Sequence, residues 1–353
     1  MARKKAVKEV EPEVDTNKIN RMQFIDVLTK VKPGIADKEI IEQSSHFIFE
    51  PDRVWSFNDE IAINQTFNSG LKGAVKADEF YKLLNKLEDE TITITINEGG
   101  FCVQGEKITA NIKIDPDVKL QTVSIPDIKA KGWEVLPDEF CSSLSVCLFS
   151  ASKNMIRPAL TCLYVTGDKV VSTDTFRATK HTMQGSISTE LLIPASSAKE
   201  LIKYNVVKIF TGNKGWLHFT NDESTIFSCR TFADIEFPKQ IWDFFNVEGE
   251  KIILPDTFDK VIDRVSTLIT ADFDLDRFVT LNIEKNILEC KSKGSYGSIS
   301  EKIKIDYKGE VISIKIHPGF LTAIINKLNE VIIGQDRVLF QGDNFEHAIC
   351  LSS

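Results

Sequence analysis

Asp138-Glu139-Phe140-Cys141-Ser142-Ser143-Leu144 recurs in outline twice more along the chain, as Arg21-Met22-Gln23-Phe24-Ile25-Asp26-Val27-Leu28 before it and as Asp256-Thr257-Phe258-Asp259-Lys260-Val261-Ile262 after it. Phe24, Phe140 and Phe258 stand in register. A second amphipathic segment follows each copy: Ala77-Asp78-Glu79-Phe80-Tyr81-Lys82-Leu83-Leu84, then Ser196-Ser197-Ala198-Lys199-Glu200-Leu201-Ile202, then Pro318-Gly319-Phe320-Leu321-Thr322-Ala323-Ile324-Ile325. Leu84, Ile202 and Ile325 align. A period of roughly 120 residues far exceeds the ~20–50 of solenoid units, so each copy is domain-sized.

Around these helices lie strand signals. In the first copy His46-Phe47-Ile48-Phe49, Arg53-Val54-Trp55-Ser56-Phe57 and Glu60-Ile61-Ala62-Ile63-Asn64 are β-favouring runs split by Pro51, Asp52, Asn58 and Asp59. They read as hairpin strands. Thr91-Ile92-Thr93-Ile94-Thr95-Ile96 alternates with period two, as a half-buried strand does. The second copy repeats the scheme with Leu163-Tyr164-Val165, a turn at Gly167-Asp168 and Val170-Val171-Ser172. In the third, Phe278 to Ile283 and Ile287 to Cys290 flank a turn at Glu284 to Asn286. The expected class is α+β, in three tandem units of two helices packed on antiparallel sheets. Predicted boundaries are a disordered tail over 1–17 and domains over 18–126, 127–246 and 247–353.

The 353 residues are 42% hydrophobic and 27% charged, an ordinary globular composition of a length that admits two or three domains. A formal net charge of −8 argues against a surface that coats nucleic acid nonspecifically, but permits a basic lining inside an acidic shell. The seven cysteines show no CxxC pairing and sit mostly in apolar runs, as reduced core thiols do. No run approaches the ~18 apolar residues of a membrane span, and no leader pattern opens the chain, so a cytoplasmic protein is expected.

One set of colinear motifs carries a resemblance. Ile156-Arg157-Pro158-Ala159-Leu160, then Val171-Ser172-Thr173-Asp174-Thr175-Phe176-Arg177-Ala178, Leu192-Ile193-Pro194, Ser228-Cys229-Arg230 with Phe237-Pro238, and Asp306-Tyr307-Lys308-Gly309 with Ile314-Lys315-Ile316 occur in the order of a known family. The chain from about residue 18 onward resembles the sliding clamps of bacterial replication, the beta subunit of DNA polymerase III, and their phage relatives. The run ending in Thr173 to Ala178 matches that family's Thr-Asp-Gly-His-Arg-Leu, with Thr175-Phe176-Arg177-Ala178 replacing Gly-His-Arg-Leu. The ending Cys350-Leu351-Ser352-Ser353 departs from the family's Met-Pro-Met-Arg-Leu, so a partner's motif is expected to differ.

The resemblance implies half of a six-domain homodimeric ring that encircles double-stranded DNA without reading its sequence. It implies DNA polymerase and a clamp loader as further partners. Lys82 and Lys86, Lys199 and Lys203, and Lys260 and Arg264 lie four apart, so each pair shares a helix face. Mobile cations on such faces suit contacts to phosphates, which carry no sequence information. Lys327, and the loop residues Lys38, Lys153, Asn154 and Arg157, join them as expected duplex contacts. A lysine on an exposed face also serves solubility alone. A peptide pocket is implied at Leu160, Thr173, Thr175, Phe176, Arg177, Ala178, Pro238, Trp242, Ala348 and Cys350, and for Leu160, Ala348 and Cys350 plain core packing is the competing reading. Ring closure is implied at Ile108, Ala110 and Ile112 on an edge strand, against Thr267 and Leu268.

Catalysis needs a nucleophile, base or metal cluster in mutual reach. The five histidines are scattered, no zinc spacing occurs, and Gly212-Asn213-Lys214-Gly215 reads as a hairpin turn rather than a phosphate loop. Asp174 reads as a turn residue. No enzymatic activity, cofactor, metal or membrane partner is expected. The alternative to a DNA-encircling clamp is a non-catalytic scaffold of the same fold that binds only proteins.

Overall fold

The structure, a computed structural model, describes residues 17–97, 100–119, 124–211, 215–232, 234–271, 273 and 276–352. Residues 1–16 of the expected tail lie outside them. Residue 17 does not belong to a tail, because Asn17–Asn20 is a strand whose first residue pairs with Ile94.

Six helices occur among the described residues: α1 (Arg21–Val31), α2 (Ala77–Lys86), α3 (Phe140–Cys147), α4 (Ala195–Leu201), α5 (Phe258–Ser266) and α6 (Pro318–Thr322). In α1 the Asn20 side chain accepts the Gln23 N–H at 3.0 Å, satisfying one orphan donor of the first turn. Phe24, Val27, Leu28 and Val31 then recur at helical spacing and are buried. Pro33 follows at once, and the chain tightens into a 3₁₀ turn over Lys32–Gly34.

The helices pack as α1 on α2, α3 on α4 and α5 on α6. Phe24, Phe140 and Phe258, the residues in register, are all buried. In the second helices the register differs from expectation by one residue. Leu84, Leu201 and Ile324 are the buried positions, while Ile202 and Ile325 are half-exposed. The reason is local: α4 gives way to a 3₁₀ turn at Ile202, and α6 is regular only as far as Thr322, so the α-helical period stops before those residues.

Compactness divides the chain into two units, residues 1–133 with 216–230, and residues 134–215 with 231–353. The first unit holds a four-stranded sheet in the order Asn17–Asn20, Thr91–Asn97, Gly100–Gln104, Thr109–Ile112. Its larger sheet runs Trp216–Thr220, Thr225–Arg230, Ile61–Thr66, Arg53–Phe57, His46–Glu50, Gly73–Lys76 and Ile114–Asp115. The hairpin of residues 216–230 falls in this unit because Thr225–Arg230 pairs with Ile61–Thr66, Thr225 opposite Gln65 and Cys229 opposite Ile61. Compactness therefore follows strand pairing rather than the sequence repeat.

The second unit holds a six-stranded sheet ordered Cys162–Thr173, Arg177–Pro194, Phe345–Cys350, Arg337–Gln341, Glu330–Ile333, Glu250–Ile253. Its other sheet is ordered Gly297–Lys304, Ile287–Gly294, Val279–Glu284, Ile312–Ile316. The expected turn at Gly167-Asp168 is absent: Cys162–Thr173 is one continuous strand with register shifts at Gly167, where φ is +56°. Pairing with the long Arg177–Pro194 strand converts a local turn signal into a bulge. The turn expected in the third copy is present, as Lys285 and Asn286 with φ of +48° and +65°, the double positive φ of a tight type I′ hairpin.

All seven cysteines are free, with five buried and Cys141 and Cys350 half-buried. Burial pushes the thiols of Cys162 and Cys290 up to about 12, so they stay protonated.

Candidate functional site

In the second unit, the chain leaves the Cys162–Thr173 strand through a hydrogen-bonded turn. Asp174 Oδ1 accepts the N–H groups of Phe176 (3.1 Å) and Arg177 (3.0 Å), and its Oδ2 accepts from Arg177 Nε at 3.0 Å. The Thr173 hydroxyl donates to the Arg177 carbonyl at 2.7 Å and accepts the Thr175 N–H at 3.0 Å. Thr175 is thereby held at φ +79°. Asp174 is a turn residue, as its type and position predict. The consequence is that Phe176 is thrown outward, 43% exposed.

Behind that turn an aromatic column forms. The Arg177 guanidinium lies 4.8 Å from the Phe320 ring and 5.5 Å from that of Phe149. Phe320 stacks on Phe176 at 6.5 Å, and His317 packs on Phe320 at 4.5 Å. Such cation–π and ring contacts fix a wall more tightly than aliphatic packing alone. Below it, His347 Nδ1 is 2.9 Å from Thr179 Oγ1, which is 2.6 Å from Ser150 Oγ. Burial, aided by the nearby charges of Arg177 and Lys327, lowers His347 to about 3, so it is a neutral part of the wall.

Opposite, the loop of residues 152–157 is closed on itself. Ser152 Oγ accepts the Asn154 N–H at 3.1 Å, and Asn154 Oδ1 accepts that of Ile156 at 3.0 Å. The loop presents Met155, 62% exposed, and Ile156, 84% exposed. Between loop and turn lies an open depression of about 740 Å³ lined by Lys153, Asn154, Met155, Ile156, Arg157, Leu160, Thr175, Phe176 and Phe320, with Ser152 and Asp174.

Three of the sequence-derived pocket residues, Leu160, Thr175 and Phe176, line this depression directly. Thr173, Ala178 and Ala348 are buried and support it from behind, Ala178 and Ala348 inside a core cluster with Tyr164 and Phe237. Leu160 belongs to both, a core residue with an edge on the depression. Cys350 donates its N–H to the Phe176 carbonyl at 2.8 Å, and so anchors the turn. Trp242 is half-buried against the Tyr164–Phe237 cluster, and exposed Pro238 precedes the 3₁₀ helix Lys239–Phe245 that carries it. Lys153, Asn154 and Arg157, expected at a duplex, line the same depression as the peptide-pocket residues. Met155, Ile156 and Phe320 were not among the expected site residues, although two adjacent apolar residues in a polar loop before Pro158 are a legible signal of an exposed contact.

The helix cations are exposed but partly spent. Lys82 pairs with Asp78 at 3.3 Å, Lys203 with Glu200 at 2.6 Å, and the Arg264 Nε reaches Glu301 at 2.9 Å. Lys203 lies in the 3₁₀ turn after α4, so the four-residue spacing from Lys199 no longer sets both on one α-helical face. Lys38, Lys86, Lys199 and Lys260 are exposed and make no side-chain ion pair among the described residues, and the Lys327 ammonium sits 4.9 Å over the Phe149 ring. α2 and α5 each carry two acids and two bases. Their positive character is therefore local rather than a property of the whole helix.

Two of the outer strands among the described residues bear on the expected ring closure. In the first unit Thr109–Ile112 is an outer strand, with Ile108 just before it exposed and Ala110 and Ile112 half-exposed. In the second, Gly297–Lys304 is an outer strand, along which exposed Ser298, Ser300, Lys302 and Lys304 alternate with half-buried Ile299 and Ile303. Thr267 and Leu268 follow α5 beside it. The Leu268 carbonyl lies so near Gly294 that a Cβ there would collide with it. The strand itself was not picked out in the sequence, because being an edge is a property of the sheet and not of its residues.

Two hydroxyl–imidazole pairs are core fittings. Ser143 Oγ donates its one proton to the Glu139 carbonyl at 2.7 Å, so His181 Nδ1, 2.9 Å away, is the donor to it. His218 lies 2.8 Å from Ser228 in a fully buried site, and burial lowers it to about 4. Among the described residues no three potential metal ligands cluster, and no helix is long and apolar enough to cross a membrane.

No family model matches the chain, and no curated protein matches it by sequence. Solved structures do. The sliding clamp, DNA polymerase III subunit beta, of Bartonella birtlesii bound to griselimycin superposes with TM-score 0.83 at 19% identity, over 96% of this chain and 99% of that one. The DNA polymerase III beta chain of Streptococcus pneumoniae gives 0.83 at 17%, covering 96% and 100%. The beta subunit of Streptococcus pyogenes gives 0.83 at 19%, covering 96% and 99%. The chain has the sliding-clamp fold from near one end to the other, as the colinear motifs implied.

Proposed function

We propose that this chain is a sliding clamp: two copies close into a ring of six repeat units around duplex DNA, and each tethers a DNA polymerase, or a loader, through the depression beside Phe176. The observation that carries this reading is the superposition on clamps over almost the full length of both chains. In this reading the chain acts by encircling and tethering and is not a catalyst.

In this proposal Lys38, Lys86, Lys199, Lys260 and Lys327 supply the mobile contacts to phosphates, and the ion-paired Lys82, Lys203 and Arg264 contribute once DNA displaces their carboxylates. The open strands Thr109–Ile112 and Gly297–Lys304, with Ile108, Thr267 and Leu268, join protomers by adding strand to strand. Tethering raises the polymerase's effective concentration at the primer end and makes re-engagement intramolecular.

A second reading is kept by one observation, the balanced charge of α2 and α5: a scaffold of the same fold that binds proteins but no DNA. Sedimentation equilibrium and retention on nicked circular duplex separate the two. A two-protomer particle that stays on circles and leaves after linearisation supports the clamp, since only a closed ring slides off ends. Equal behaviour on both DNA forms, or a monomer at all concentrations, rejects it.

A further inference from the structure

We infer that the depression beside Phe176 selects an acidic partner peptide, one in which a large apolar anchor is flanked by carboxylates; this rests on the peptide-docking part of the proposal above. Its apolar and aromatic lining is Leu160, Met155, Ile156, Phe176 and Phe320. Its volume, about 740 Å³, lies within the roughly 300–1,000 Å³ typical of ligand sites. Apolar anchors seated on rigid rings supply most of the binding energy in such places.

The rim supplies the sign. Lys153 and Arg157 are both exposed and make no ion pair or side-chain hydrogen bond among the described residues. The acid that lines the depression, Asp174, has its carboxylate occupied by Arg177 Nε and two backbone N–H groups. A peptide entering here meets two unpaired cations beside that apolar lining, on a molecule whose net charge is −8. Carboxylates beside the anchor complete those cations, while a basic flank is repelled. Duplex phosphate is the other anion that Lys153 and Arg157 would attract, but the bases of a paired duplex offer no apolar side chain to fill the space these residues border.

The test uses the full chain and two fluorescein-labelled hexapeptides, one with a Phe-Leu anchor between two aspartates and the other with asparagines in their place. Anisotropy titration at low salt is expected to show the aspartate peptide binding roughly fivefold tighter, the order for two exposed ion pairs, with the preference shrinking as salt rises. The double variant Lys153→Glu, Arg157→Glu is expected to lose that preference while keeping affinity for the asparagine peptide. Both residues are exposed, and an unchanged thermal melt certifies the fold. Phe176→Ala is expected to weaken both peptides alike. Equal binding of the two wild-type peptides, no binding of either, or a preference that survives the charge reversal overturns the inference. So does a double variant that loses DNA retention with peptide affinities unchanged, for then the two cations serve the duplex. Failure of ring closure on circular DNA refutes the clamp reading and leaves the peptide preference to be judged on its own titration.

Discussion

Thr175→Gly should stabilise the second unit. Thr175 holds φ +79°, where a β-branched residue is a genuine outlier. Strain of this kind costs about 1–3 kcal/mol, and glycine adopts the conformation freely. Glycine also loosens the unfolded chain, which offsets about 0.5–1 kcal/mol. No hydrogen bond is made by the Thr175 hydroxyl among the described residues, and the N–H bond to Thr173 survives the change. The net gain is about 1 kcal/mol. With a urea slope of about 2 kcal/mol per molar for a unit of this size, the midpoint moves up by about 0.5 M. Trp55, Trp133 and Trp216 lie in the first unit and Trp242 in the second. Urea unfolding read by fluorescence in a background with those three changed to phenylalanine therefore reports the second unit. Thr175→Ala is the control, because alanine retains most of the positive-φ penalty. If Thr175→Gly melts at or below Thr175→Ala, the turn is not strained and the reasoning that Asp174 and Thr173 hold Phe176 outward against a cost fails.

His347 is kept neutral to about pH 3 by burial and by the charges of Arg177 and Lys327, while in the unfolded chain it gains its proton near the ordinary value of 6.5. Its contribution to stability is complete above pH 6.5 and is lost as pH falls from there towards 3; His347→Gln should flatten that stretch of the stability curve, and an unchanged slope would count against this. Ile108→Lys with Ile112→Lys places charges just before and on the outer strand Thr109–Ile112 and should convert a two-protomer particle into monomers by sedimentation, whereas an unaltered mass means that this edge joins nothing. Charge reversal at Lys86, Lys199 and Lys260 should weaken duplex retention and lower the salt slope by about 0.9 for each phosphate no longer neutralised. A slope that stays the same removes these lysines from the DNA interface.

Much of the local architecture was legible. Phe24, Phe140 and Phe258 announced three helices because the helical period is written in neighbouring residues, and Ile92 and Ile94 announced a buried strand face in the same way. The Asp174 turn and the Glu284–Asn286 hairpin were legible because turn chemistry is local too. Where the structure departs from expectation, a wider context had overruled a local signal. Gly167-Asp168 looks like a turn until pairing with Arg177–Pro194 draws it into one strand, and Ile202 looks like the inner face of a helix until the chain tightens to 3₁₀.

The candidate site divides along the same line. Thr173 to Ala178 was picked out by its resemblance to the clamp family's motif, and the α+β class from periodicity and turn preference within a few residues. That Phe320 stacks on Phe176, that Lys153 and Arg157 share their depression, that Arg264 is spent on Glu301, and that Gly297–Lys304 is left without an outer neighbour among the described residues were decided by tertiary structure alone. Each is a relation between segments far apart in sequence, and the packing and pairing that bring them together are set by the whole fold rather than by any stretch of it.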